Sequence, residues 1–161
     1  MIQRITEFLA GIGIEVERAT LDDGTFLPGV TLQGGRLLVD EVRLAYPGDL
    51  LHEAGHVALV PAALRPRLSG EADVPGVDMA TVETAVLPWS YAAALAAGVH
   101  PAAVFHDGGY RGHGAGLLAT YSLGVYPGAA LLEGFGLTAT GARAAALGVA
   151  PYPHMLRWLR E

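Results

Sequence analysis

Five residues of this chain could do chemistry together: His52-Glu53-Ala54-Gly55-His56. They stand in an apolar run, with Leu50-Leu51 before them and Val57-Ala58-Leu59-Val60 after. On a helix, residues four apart share a face, so both imidazoles can point at one ion. Glu53, next to the first histidine, can reach a water on that ion and take its proton. Two histidines and a glutamate in an apolar stripe are costly unless something pairs with them.

A catalytic zinc takes three protein ligands and keeps one position open. The chain has no cysteine, which excludes thiolate ligands and fits a reducing compartment. The metzincin continuation would need a glycine at position 59 and a third histidine at position 62; Leu59 and Ala62 stand there instead. Peptide deformylases complete the same motif with a cysteine, which is absent. Glu83 is the leading third ligand, because it lies among small and apolar neighbours (Ala80, Val82, Ala85, Val86) where a carboxylate needs a partner or a metal. His106, Asp107 and His113 compete for the role. Glu71, Asp73 and Asp78 are weaker, since loop residues of that kind are usually solvated.

The elements that must position these groups can be read from pattern. Ile2, Ile5, Phe8, Leu9 and Ile12 recur at helical spacing, which predicts an amphipathic helix over 2–11. Residues 14–19 alternate as a half-buried strand does. Gly34-Gly35 between 29–32 and 36–40 marks a hairpin. Asp49 is the expected N-cap of the motif helix and Pro61 its stop. Residues 61–76 read as a loop. A second helix is expected from Asp78 to Ala97, closed by Gly98, with Pro88 kinking or splitting it. A Gly- and His-rich segment follows to Gly116, then helices at about 115–124, 128–136 and 140–147, and a short amphipathic end over 153–159.

Bulk properties narrow the function classes. At 161 residues the chain is read as one domain over 1–161, able to bury a core without disulfides. The net charge is −6 and the ten basic residues, all arginine, are scattered, so no phosphate footprint exists and nucleic acid is not an expected partner. The absence of Lys and Asn, with heavy use of Ala and Gly, has the look of a GC-rich bacterial coding bias. Arg4 and Glu7 interrupt what would have to be the apolar part of a signal peptide. The most apolar region, 115–132, is broken by Ser, Gly, Pro and Tyr, so no membrane span is expected. The expectation is a cytoplasmic protein whose hydrophobicity serves a large core or a homo-oligomer interface.

Strand-rich start, an apolar strand Arg36-Leu37-Leu38-Val39-Asp40, the motif helix, then a helix carrying Glu83: over residues 14–97 the chain resembles the small gluzincin-type zinc metallopeptidases. It is most similar to the minimal bacterial domains related to repressor-cleaving peptidases. The resemblance implies an α+β zincin-like fold, with a small N-terminal β-sheet, the active-site helix and a mostly helical C-terminal half. It implies Zn2+ held by His52, His56 and Glu83, with Glu53 as general base, and a peptide or protein substrate. The aspartate that thermolysin-like enzymes place four residues after the ligand glutamate is Leu87 here, so support for a metal histidine must come from elsewhere.

The implied reaction is hydrolysis of a peptide or amide bond. Zinc brings the pKa of its water towards about 7 and polarises the carbonyl, while Glu53 carries the proton to the leaving amine. A donor must meet the oxyanion. Tyr110 and His106, on the Gly-rich segment, are the first candidates as catalytic residues, and Tyr91, about 12 Å along the helix from Glu83, is the second. The glycines of that segment do not make a phosphate cradle, because no lysine follows them. Two other functions fit the same residues: a non-hydrolytic metal site (structural, sensory or oxidative), and a catalytically silent interaction module.

Overall fold

The computed structural model describes residues 1–70 and 74–161. Glu71 and Asp73, the weaker ligand candidates, lie outside the described residues. The protein is α+β, with a small three-stranded sheet and a mostly helical remainder.

Helix α1 (Ile2–Gly11) forms where its apolar spacing predicts and buries Ile5 and Leu9 completely. Strand β1 (Val16–Arg18) is shorter than expected, because only its parallel pairing to one neighbour holds it. Strands β2 (Val30–Gln33) and β3 (Arg36–Val39) form the expected antiparallel hairpin. Its two-residue turn needs positive φ at both central positions, and Gly34 and Gly35 supply +60° and +79°. The sheet order is β1-β3-β2, so β2 is an edge. Val30, Leu32, Leu37 and Val39 point to one face and are buried there.

Helix α2 (Asp49–Leu59) carries the motif and packs between that face and α3 (Met79–Ala96). Pro61 does stop it: Val60, the residue before the proline, is already extended. Asp49 is not its N-cap. Gly48 holds that position, and Asp49 is the first helical residue, its side chain turned inward. Gly48 is required because a Cβ would overlap the Ala103 carbonyl at 1.8 Å.

The stretch after Pro61 is more ordered than a loop: Ala62–Arg67 is a 3-10 helix. Arg65 on it donates to the carbonyls of Val57 and Val60 at 3.0 and 3.2 Å, satisfying acceptors that the end of α2 leaves open. Asp78 caps α3 as expected, accepting from the Ala80 and Thr81 amides. The helix stays one element through Pro88 instead of splitting. The proline leaves the Thr84 carbonyl without its helical donor, and Gly128 packs there, so close that a Cβ would come within 2.6 Å of that oxygen. α3 is buried on nearly every side, from Val82 to Ala94, which marks it as the central helix.

Helices α4 (Gly114–Ser122), α5 (Ala129–Gly134) and α6 (Gly141–Leu147) occupy the three expected stretches. The tail is bent, not helical. Trp158 stacks edge-on against Phe8 and Trp89, and its carbonyl accepts from the Trp89 indole. No described helix is long and apolar enough to cross a membrane.

The α2–α3 approach is set by Gly55. A Cβ there would lie 3.0 Å from Val86 Cγ1 and 3.3 Å from Trp89 Cε3, both fully buried. Gly55→Ala gains about 1 kcal/mol of helix propensity but overpacks the interface, which costs about 1–3 kcal/mol. We expect a net loss of up to about 2 kcal/mol in urea unfolding, with the two helices pushed apart.

Candidate metal centre

His52 and His56 lie one turn apart on α2 and their Nε2 atoms are 3.3 Å from each other. Glu83, in the second turn of α3, faces them. Its Oε1 lies 3.3 Å from His56 Nε2 and its Oε2 3.9 Å from His52 Nε2. Two ligands on a tetrahedral zinc with bonds of about 2.1 Å sit about 3.4 Å apart. The His52–His56 and His56–Glu83 separations match that edge, while the approach to His52 is made by the other Glu83 oxygen and is half an ångström longer. Two carboxylates approach the histidine pair: Glu53 also brings a carboxylate oxygen within 4.8 Å of both imidazoles. Glu53 is adjacent to His52 on the same helix, so it projects about 100° around the axis from the ligand stripe, beside the pair, whereas Glu83 comes from the opposite helix. His52, Glu53 and His56 form a group that could hold a metal ion, and Glu83 faces its two histidines.

Burial decides the protonation of the pair. It lowers His52 to about 3, with help from His56 and His106, and His56 to about 4. Both rings are neutral at physiological pH, the form that binds metal. Burial also raises the Glu83 carboxyl. Glu83 is 57% exposed as a side chain, so its stem faces solvent while its carboxylate turns to the histidines. A cation would satisfy all three converging acceptors; a proton on one ring satisfies only one edge.

The pair opens onto a cleft of about 370 Å3, lined by Phe26, Leu32, His52, Glu53, His56 and Glu83 among others. A larger groove of about 760 Å3 continues along β2 and shares Phe26, Leu32 and Glu53 with it.

The Gly- and His-rich segment lies behind the motif. His106 Nε2 is 2.8 Å from Asp49 Oδ1, and both side chains are about nine-tenths buried. Burial raises the Asp49 carboxyl, and the contact with His106 opposes that rise. Tyr46 stacks on the His106 ring at 3.8 Å and 9°. Tyr110 places its hydroxyl 3.3 Å from His52 Nδ1, the nitrogen that faces away from Glu83. Burial, then the nearby carboxylates of Asp49 and Glu83, push its phenol pKa up. Tyr110 and Arg111 both adopt positive φ, 53° and 55°, a conformation that costs a non-glycine residue about 1–2 kcal/mol. Neither Tyr110 nor His106 lines either cleft among the described residues. Three buried atoms find no side-chain or backbone partner among the described residues: Asp49 Oδ2, His56 Nδ1 and His106 Nδ1.

The other sequence candidates fall elsewhere. Asp107 and His113 are exposed and join no metal-binding group among the described residues. Asp78 serves as the cap of α3. Tyr91 is buried in an aromatic cluster with Phe105, Tyr121 and Tyr126. Asp49 and Tyr46 are the residues that sequence reasoning missed. Asp49 stands three positions before His52, on the same helical face, and that spacing was the available signal. No protein-family model, curated protein or solved structure matches the chain.

Two outcomes follow from this geometry. His106→Phe keeps a ring against Tyr46 but strands a buried carboxylate, and we expect a loss of about 3 kcal/mol or more in urea unfolding. Asp49→Asn, which keeps a polar partner for His106, should lose less. The histidine pair sets an acid limit on metal-free protein. Unfolded histidines bind protons below about 6.5, whereas the folded pair stays neutral to about 3 and about 4. The pair's contribution to stability is therefore full above about pH 6.5 and is lost as the pH drops from about 6.5 towards about 3. Unfolding of chelator-treated protein at stepped pH reads this directly, and His52→Gln with His56→Gln should flatten the curve.

Proposed function

We propose that the protein is a zinc-dependent hydrolase of the gluzincin-like kind, acting on a peptide or amide bond. The convergence of His52, His56 and Glu83 at separations close to zinc's coordination edges is the observation that carries this reading. Glu53 beside them in an open cleft supports it. Zinc held by these three residues would acidify a water and polarise a carbonyl.

The chain's own residues supply the rest. Glu53 takes the proton of the attacking water and returns it to the leaving amine. The cleft runs beside β2, an edge strand whose outward Val30 amide and Leu32 carbonyl already bond Leu27 and Gly70, so an extended peptide there would be held mainly by side-chain contacts in the groove. The apolar wall of Phe26 and Leu32 favours a substrate with an apolar side chain next to the scissile bond. The Tyr110 hydroxyl and His106 Nε2 are engaged with His52 and Asp49 and neither residue lines the cleft, so this reading gives both a supporting role behind the ligand helix.

Protein purified without added metal should carry about one zinc per chain at this three-ligand site. Glu53→Gln should keep the zinc and lower hydrolysis of a casein or peptide-library substrate by at least about 100-fold. Wild-type protein that folds fully and binds no metal would overturn the reading. Zinc retained with no hydrolysis in either form would leave a non-hydrolytic metal site.

A further inference from the structure

We propose that Tyr110 is a positioning residue: its hydroxyl oxygen accepts a hydrogen bond from Nδ1–H of His52 and so keeps the proton on that nitrogen, leaving Nε2 as a bare lone pair for the metal. The inference rests on the metal-centre reading above and extends it to residues behind the ligands.

A neutral imidazole carries its proton on one nitrogen, and the hydrogen bond at the other decides which. Among the described residues His52 Nδ1 meets the Tyr110 hydroxyl, at 3.3 Å. The phenol ring stands nearly perpendicular to the imidazole, at 74° with centroids 5.9 Å apart, which points the oxygen at the ring edge. Phe105 packs edge-on against the phenol, with centroids 5.5 Å apart, and limits its swing.

The backbone around Tyr110 is arranged for this contact. Tyr110 and Arg111 hold left-handed conformations that side-chain-bearing residues avoid. Such strain persists only where surroundings over-determine it. Here the surroundings are the Asp49–His106 contact, the Tyr46 stack and Gly109, whose missing Cβ would lie 3.1 Å from the His106 ring. The segment is thus clipped to the first turn of α2 and delivers a hydroxyl to the next turn of the same helix.

The support is unequal. His56 Nδ1 has no such partner among the described residues, so orientation by hydrogen bond falls on His52. Leu87, where a charged support could have stood, offers no polar atom. A phenol in place of a carboxylate orients the ring without adding negative charge, which leaves the metal a stronger Lewis acid.

Tyr110→Phe removes the hydroxyl and keeps the ring. Zinc affinity, measured by competition with a chromophoric chelator, should fall about 10- to 100-fold, with the melting temperature of the metal-free protein little changed. In that metal-free protein the His52 Nδ1 resonance, read by 15N NMR at pH 8, should move while that of His56 stays. Unchanged zinc affinity or an unmoved His52 resonance would overturn the assignment. Wild-type protein that binds no zinc would instead refute the metal-centre reading, and the metal-free resonance alone would then decide for or against the Tyr110 contact.

Discussion

Everything at the centre depends on how closely α2 and α3 approach. A glycine inside the five-residue motif removes the one side chain that would separate them, and Val86 and Trp89 fill the space. That contact brings a carboxylate on one helix within 3.3 Å of an imidazole on the other. The spacing between His52 and His56 is local and follows from helical geometry alone. The spacing to Glu83 is not local; it is set by Gly55, one residue from His56. The motif therefore encodes both a ligand pair and the packing that admits a third group.

The same helix is held at both ends by different means. At its start, the Gly48 backbone touches Ala103 and the Asp49 carboxylate meets His106, so a segment more than fifty residues away seats the first turn. At its finish, Arg65 and Arg160 take up the carbonyls that a helix end leaves without donors. The Arg160 amide donates to Ala58 at 2.8 Å, and Arg65 also reaches the Arg160 carbonyl. Rigid seating matters because metal geometry tolerates only small errors in ligand position.

Much of this could be read from residue order, for identifiable reasons. α1, α3 and the three C-terminal helices declare themselves through apolar spacing, an Asp cap and glycine ends, all of them local signals. The grouping of His52, Glu53 and His56 was legible because a fixed helical period ties number to direction, whereas Glu83, on another helix, stood out only by its apolar neighbours. Asp49 was misread because one residue type serves as a cap or as a buried partner, and only the packing of residues 103–114 decides. The 3-10 helix at Ala62–Arg67 was missed because its purpose is tertiary: it aims Arg65 at α2. Tyr110 was found, but its placement rests on positive φ at two residues that carry side chains, which no composition rule signals.

The tail that meets the end of α2 has a consequence in time. Residues 157–160 are joined to a helix about a hundred positions earlier in the chain, and contacts so far apart are slow to close. During synthesis α2 emerges, with both of its histidines, long before the arginine that secures its last turn. The hairpin and the first turns of the helices can form early from neighbours alone. The seating of the helix that carries the histidine pair is completed only by these last residues, so a metal site there would be assembled late in the life of the nascent chain.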